Sequence, residues 1–214
     1  MIKNIVILGA GGLAKEVAYL IKKINKKNKK WNILGFIDSN KKNIGKKINE
    51  HTIIGNDEWL LGQTQPISIA FGIGSPKLIK NLYKKFMDNE NINYPNLIHP
   101  NASGDWDNIL LGFGNIICEN TIFTTSIQVG NFNFFNLACT VGHDSVIMNY
   151  NVINPSVNIS GGVELGESIL LGTGCQILQN ISICSDCIIG AGTVITKDIK
   201  QKGVYFGIPA QKRS

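Results

Sequence analysis

The chain has 214 residues, of which 43% are hydrophobic and 17% charged, and this composition excludes a mainly disordered protein. The formal net charge is +6, but Arg213 is the single arginine in the sequence, which argues against a nucleic-acid-binding surface. No apolar run approaches the roughly 20 residues of a membrane span, and the first residues lack a signal-peptide pattern. We therefore expect a cytoplasmic protein that binds neither nucleic acid nor a membrane.

The first hundred residues contain three apolar segments with the pattern of strands in a small parallel sheet. Residues 5–8 run into Gly9, Gly11 and Gly12, and residues 13–24 then show helical spacing. Residues 33–37 end at Asp38, and residues 67–71 end at Gly72. Glycines let a ligand approach the backbone, and free amides at a helix start favour anions. This pattern predicts a Rossmann-like domain that binds a ligand at the carboxyl ends of its strands.

The glycine turn departs from the full dinucleotide-binding fingerprint, because Ala14 occupies the third glycine position. Structural strand-to-helix turns also contain glycine. For this first element alone, a turn that binds no ligand therefore remains an alternative.

From residue 111 onward a large apolar residue recurs at every sixth position. A run of fifteen such positions in a chain of this composition is not a chance event, and a six-residue period is typical of a parallel β-helix. Three hexads form one triangular coil, so we predict about five coils stacked at the roughly 4.8 Å strand spacing. The fifteen positions are Leu111, Ile117, Phe123, Val129, Phe135, Val141, Ile147, Ile153, Ile159, Leu165, Leu171, Ile177, Ile183, Ile189 and Ile195.

Five cysteines lie in this second half. Cys184 and Cys187 have the spacing of a metal-binding or redox pair, but a second pair is missing. Cys184 follows an apolar repeat position, and Cys187, Cys139 and Cys175 each hold the small position two residues before one. We therefore interpret these cysteines as packing residues and expect no metal site.

His143 is the histidine that the repeat does not explain. It follows the repeat position Val141 by two residues, at a turn where its side chain points outward beside Asp144. A neighbouring carboxylate orients an imidazole and increases its basicity, as a general base requires. His51 and His99 lack such a setting, so we interpret them as structural residues.

The order of these motifs resembles the bacterial hexapeptide-repeat sugar acetyltransferases, which include sialic acid O-acetyltransferases and N-acetyltransferases of UDP-linked 4-amino-sugars. The resemblance covers essentially the whole chain. The matching pieces are residues 9–12, Asp38, Gly72, residues 97–100, residues 142–144, residues 191–197 and residues 207–210.

The resemblance implies a fold, a partner and a set of site residues. It predicts a Rossmann-like domain in residues 1–98, a left-handed parallel β-helix with a C-terminal cap in residues 99–214, and a homotrimer that holds acetyl-CoA in the cleft between neighbouring subunits. His143 would deprotonate the acceptor for direct attack on the thioester, and Asp144 would strengthen this base. By matching positions, Gly161, Thr173 and Ala191 would contact acetyl-CoA, and Gly11, Gly12, Leu13, Asp38 and Gly72 would contact the nucleotide of the sugar.

Two positions depart from the family pattern. Val152 stands where relatives carry a histidine nine residues after the base, and Leu13 stands where the amino-sugar enzymes carry a histidine in the glycine turn. These departures leave the exact nucleotide and sugar open. From the resemblance and the His143–Asp144 pair, we expect N-acetylation of a nucleotide-linked amino-deoxy-sugar for surface glycan biosynthesis. O-acetylation of a sugar such as sialic acid and a binding or scaffold role without turnover remain the alternatives.

Overall fold

The computed structural model describes residues 2–213, and within them the chain forms two compact units. One unit comprises the chain up to Gly74 together with Leu78–Pro100, and the other comprises Ser75–Lys77 together with the chain from Asn101 onward. Met1 and Ser214, the outer limits of the two predicted domains, lie outside the described residues. The domain boundary between residues 98 and 99 stays a prediction.

The first hundred residues alternate strands with helices, as the apolar pattern predicts. A 3-10 turn at Lys41–Asn43 follows the second strand. The elements are β1 (Lys3–Leu8), α1 (Gly12–Lys27), β2 (Trp31–Ile37), β3 (Lys47–Ile48), β4 (His51–Gly55), α2 (Asp57–Leu61), β5 (Ile67–Phe71), α3 (Pro76–Phe86), β6 (Ile92–Asn93) and β7 (Leu97–Ile98).

The sheet of the first unit has the strand order β3-β4-β2-β1-β5-β6. All neighbours are parallel except β3 and β4. In β1, Ile5, Val6 and Ile7 are fully buried. The chain passes from β1 to β2 on one side and reaches β5 on the other, so the carboxyl end of β1 lies where ligands bind in such sheets. The predicted Rossmann-like sheet is confirmed.

The second unit is a series of very short parallel strands. It begins with a 3-10 turn at Trp106–Asn108. The strands are β8 (Ile109–Leu111), β9 (Ile116–Ile117), β10 (Ile122–Phe123), β11 (Ile127–Val129), β12 (Phe134–Phe135), β13 (Thr140–Val141), β14 (Val146–Ile147), β15 (Val152–Ile153), β16 (Asn158–Ile159), β17 (Glu164–Leu165), β18 (Leu170–Leu171), β19 (Gln176–Ile177), β20 (Ser182–Ile183), β21 (Ile188–Ile189), β22 (Val194–Ile195), β23 (Val204–Phe206) and β24 (Gln211–Lys212).

These strands stack into three faces, and each strand pairs with the strand 18 residues later. Face A contains β10, β13, β16, β19 and β22, and face B contains β8, β11, β14, β17 and β20. Face C contains β9, β12, β15, β18 and β21, and it continues into β23 and β24. The second residue of each two-residue strand up to β22 points into the core and is buried.

This arrangement is the hexapeptide-repeat β-helix that the sequence predicts, and the predicted fold class is confirmed. Fourteen of the fifteen repeat positions are buried. Leu111 is half-buried, because it belongs to the first strand of face B. None of the helices in residues 2–213 combines the length and apolar character that crossing a membrane requires.

Candidate active site

His143 and Asp144 lie at the corner of the β-helix between faces A and B. The Nδ1 atom of His143 is 2.8 Å from Oδ2 of Asp144, and both side chains are about two-thirds exposed, at 65% and 67%. A carboxylate only accepts hydrogen bonds, so Nδ1 carries the hydrogen and Nε2 keeps a free lone pair. The pair is therefore arranged to accept a proton at Nε2.

The imidazole of His143 lies against Gly161, which occupies the same corner one coil later. A Cβ atom on Gly161 would lie 2.6 Å from Nε2 and 2.7 Å from Cε1 of His143. The carbonyl of His143 accepts a 2.7 Å hydrogen bond from the amide of Gly162. The base and the glycine predicted to contact acetyl-CoA are thus in direct contact.

Asp144 is held in a left-handed backbone conformation, with a φ of 60°. Its amide donates a 3.3 Å hydrogen bond to the carbonyl of Thr125, which lies one coil earlier at the same corner. The hydroxyl of Thr125 donates to Oδ2 of Asp105 over 2.6 Å, and Asn108 donates to the same oxygen. These two hydrogen bonds lower the pKa of the Asp105 carboxyl, and the bond from Thr125 has the larger effect.

Sequence reasoning missed Thr125, whose carbonyl binds the amide of Asp144, and Asp105, whose carboxylate binds Thr125. The signal for Thr125 is present in the chain, because a residue 18 positions before His143 occupies the same corner of the preceding coil. Asp105 precedes the first strand of the β-helix, where the repeat gives no register. Its position next to Thr125 could therefore not be predicted from the period.

The other two positions predicted to contact acetyl-CoA lie at a different corner. Thr173 and Ala191 follow β18 and β21, at the corner between faces C and A, and both are exposed. The amide of Gly192 donates to the carbonyl of Thr173 over 2.8 Å, which ties the two coils together. The structure thus places the predicted cofactor contacts at the two edges of face A.

Face A carries a row of polar side chains between these edges. The hydroxyl of Thr140 donates a 2.7 Å hydrogen bond to the side-chain oxygen of Asn158. The side-chain nitrogen of Asn158 in turn donates a 3.1 Å hydrogen bond to the side-chain oxygen of Gln176. By contrast, Val152, the position where relatives carry a histidine, is buried in face C. It contributes no polar group. Within residues 2–213, no cluster of three or more His, Cys, Asp or Glu side chains is arranged to hold a metal ion.

In the first unit, the glycine turn after β1 is open to solvent. Gly11 precedes α1 as its N-cap residue without a side-chain cap, and a Cβ atom on Gly11 or Gly12 would meet nothing within 4 Å. Leu13 is half-buried at the start of α1. The first amides of a helix lack partners within the helix, so this turn offers both space and donors to an anionic ligand.

Gly72 and Asp38 have structural roles beside this turn. A Cβ atom on Gly72 would lie 2.6 Å from Cα of Ala14, so this glycine lets α1 pack closely on β5. The carboxylate of Asp38 accepts hydrogen bonds from the amide of Asn40, at 2.9 Å, and from the side chain of Asn43, at 2.7 Å. The Asp38 carboxylate, which is predicted to contact the nucleotide, therefore already orders the loop after β2.

Comparison with known proteins agrees with both units. Residues 4–86 match the family described as "PglD N-terminal domain". The acetyltransferase domain of PglB from Neisseria gonorrhoeae FA1090, in complex with acetyl coenzyme A, superposes with a TM-score of 0.90 at 25% identity, over 100% of both chains. Over its whole length, the chain is therefore similar to an acetyltransferase domain with the same two-part fold.

Other members of this fold are similar over the same length. A mutant of perosamine N-acetyltransferase from Caulobacter crescentus, in complex with CoA and GDP-perosamine, has a TM-score of 0.89 at 24% identity and covers 100% of this chain and 98% of its own. WeeI from Acinetobacter baumannii AYE has a TM-score of 0.86 at 21% identity and covers 99% of this chain and 100% of its own. Both show the fold.

A curated relative matches part of the chain. An acyl-[acyl-carrier-protein]--UDP-N-acetylglucosamine O-acyltransferase from Pseudomonas putida strain F1 is 30% identical over 118 residues, which is 52% of this chain and 46% of the relative. The chain thus spans about half the length of the curated relatives that it matches.

Proposed function

We propose that this chain transfers the acetyl group of acetyl-CoA to the amino group of a nucleotide-linked amino-deoxy-sugar, for surface glycan biosynthesis. The observation that carries the proposal is the exposed His143–Asp144 pair, with Nδ1 bound to the carboxylate at 2.8 Å and Nε2 over Gly161. The similarity to proteins whose structures contain acetyl coenzyme A, or CoA with GDP-perosamine, supports the choice of substrates.

In the proposed reaction, Nε2 of His143 accepts a proton from the acceptor amine as the amine nitrogen attacks the thioester carbonyl. Collapse of the tetrahedral intermediate breaks the carbon–sulfur bond, and the CoA thiolate leaves and is protonated. Asp144 holds Nδ1–H and stabilises the imidazolium that forms. Gly161, Thr173 and Ala191 would contact acetyl-CoA, and Gly11, Gly12, Leu13, Asp38 and Gly72 would contact the nucleotide.

The experiment is a thiol-release assay with acetyl-CoA against UDP-, dTDP- and GDP-linked 4-amino-sugars and free sialic acid. We expect turnover with one amino-sugar, and we expect His143→Ala to lower that turnover by about 10² to 10⁴-fold, as loss of a general base does. Gln179→Ala is the matched control, because Gln179 is exposed at the same corner two coils later. Near-normal turnover by His143→Ala would reject the mechanism.

Transfer to a sugar hydroxyl is the second candidate, and the match to O-acyltransferases over 118 residues favours it. The same assay separates the two, because turnover with sialic acid alone would identify an O-acetyltransferase. A scaffold without turnover would show no acetyl-CoA binding in calorimetry. We place the reaction in the cytoplasm, since all five cysteines are free thiols, as is usual in a reducing compartment.

A further inference from the structure

Cys184 and Cys187 form a pair of thiols at the corner between faces B and C in the last full coil. Their sulfur atoms are 3.6 Å apart, and neither is in a disulfide. Cys184 follows β20 and is half-buried, and Cys187 precedes β21 and is fully buried. The packing interpretation accounts for Cys187, but it gives no reason for a second sulfur in contact with the first.

The two thiols differ in access from outside. Cys184 lines a groove of about 410 Å³ on face B, which also contains Lys200, Asp198 and Ser182. Cys187 lies on the inner side of the corner, and burial, followed by its contact with Cys184, raises the pKa of its thiol to about 12. Among the five cysteines, Cys184 is the one that the structure leaves half-exposed, because the other four are buried.

We propose that Cys184 and Cys187 form a reversible intramolecular disulfide on reaction with a low-molecular-weight disulfide such as glutathione disulfide. In the first step, the thiolate of Cys184 attacks one sulfur of the external disulfide, forms a mixed disulfide and releases one thiolate. In the second step, Cys187 loses its proton to solvent and attacks the sulfur of Cys184, which releases the second thiolate. Two protein thiols are oxidised, and one external disulfide is reduced to two thiols.

Three features of the corner favour this reaction. The sulfurs need to approach from 3.6 Å to the bond length of about 2.05 Å, which is within the reach of side-chain rotation. The backbone at Asp186, between the two cysteines, already turns with a φ of 61°. The bond would enclose only two intervening residues, so it would restrict the unfolded chain little and would add little to the stability of the fold. These properties fit a reversible modification better than a structural cross-link.

The test is oxidation of the reduced full-length protein with excess glutathione disulfide at mildly alkaline pH, followed by intact-mass measurement and thiol titration in denaturant. We expect the number of titratable thiols to fall from five to three, with a mass loss of about 2 Da and no retained glutathione. Peptide mapping should join Cys184 to Cys187, and a reductant should restore all the thiols.

Variants of single cysteines distinguish this pair from unspecific oxidation. Cys187→Ser should retain one glutathione on Cys184, because the second step is lost, and Cys184→Ser should neither lose thiols nor retain an adduct. Cys175→Ser is the control, since Cys175 is equally buried, and it should behave like the unmodified sequence in losing two thiols. Loss of two thiols in Cys184→Ser, or a stable adduct without ring closure in the unmodified sequence, would overturn the proposal. This outcome does not depend on the acetyl-transfer reaction.

Discussion

The imidazole of His143 lies so close to the backbone of Gly161 that no side chain at position 161 fits between them. Two ring atoms, Nε2 and Cε1, would lie less than 3.0 Å from a Cβ atom on Gly161, a separation that real Cβ atoms essentially never show. The ring is otherwise fixed by Asp144 at Nδ1. Any side chain at position 161 therefore has to displace the imidazole from the position in which its Nε2 atom is held.

We expect Gly161→Ala to lower the turnover number by at least about tenfold, because a misplacement of the order of 1 Å at a catalytic group costs up to about 10²-fold. Circular dichroism should remain unchanged, since the φ of Gly161 is not in the left-handed region. The measurement is steady-state kinetics of Gly161→Ala alone and in a His143→Ala background.

The double variant separates two roles of this glycine. If Gly161 acts through the base, then Gly161→Ala has little further effect once His143 is alanine. An equal fold-loss of turnover in both backgrounds would instead assign Gly161 to cofactor contact alone.

Sequence patterns predict part of this site for a clear physical reason. His143 stands out because the six-residue repeat accounts for Val141 and Gly142 but gives no packing reason for an outward imidazole. Asp144 is found with it because it is the next residue in the chain. The contact with Gly161 depends on the direction of the ring, which the period does not encode. Likewise, the position of Asp38 after β2 is predictable, but its hydrogen bonds to Asn40 and Asn43 depend on the path of the following loop.

At the scale of single elements, the corner between faces B and C contains a buried column of asparagines. Each side-chain oxygen in the column accepts a hydrogen bond from a backbone amide one coil later. Asn115 accepts from the amide of Asn133 at 2.9 Å, Asn133 accepts from the amide of Asn151 at 2.9 Å, and Asn151 accepts from the amide of Ile169 at 2.8 Å. The three asparagines are at most 1% exposed. Each one satisfies a buried amide of the next coil that the strands leave unpaired.

We expect Asn133→Ala to lower the free energy of unfolding by about 1–3 kcal/mol, because the amide of Asn151 would be buried without a partner. Asn131 is the matched control, since its carboxamide oxygen accepts the amide of Phe113 at 2.9 Å in a half-buried position at the same corner. Water can replace that bond, so Asn131→Ala should cost less than about 1 kcal/mol. The measurement is urea unfolding of both variants, and equal losses would show that burial of the column is not what matters.

The sequence predicts the inner side of each strand better than the corners. A six-residue period reports which residues point into the core, since burial of apolar side chains is a strong constraint. The corners instead require a left-handed residue every six positions, as at Asp144, Asn180 and Asp186, with φ near 60°. Phe132 and Tyr150 also adopt this conformation, and such residues give no sign of a left-handed turn, because bulky side chains rarely adopt one.

At the scale of the whole molecule, the two units were predictable because each has its own period. Helical spacing between short apolar runs indicates the first unit, and the six-residue repeat indicates the second. The outward positions of the β-helix follow no rule of this kind. Polar residues form the row on face A, whereas Leu110 on face B is 70% exposed and Met148, at the edge of the same face, is 46% exposed.

Exposed apolar residues in the first coil support the predicted homotrimer, since a monomer rarely leaves large apolar side chains grouped in contact with water. Leu110 is 70% exposed and Phe113 is 42% exposed, and both lie four coils before Cys184. We expect light scattering to give about three times the chain mass of 23.4 kDa, and this mass should persist on dilution to micromolar concentration. A single-chain mass under these conditions would contradict the trimer. If such a monomer still turned over acetyl-CoA, then His143, Thr173 and Ala191 would have to serve the cofactor within one chain rather than across a subunit cleft.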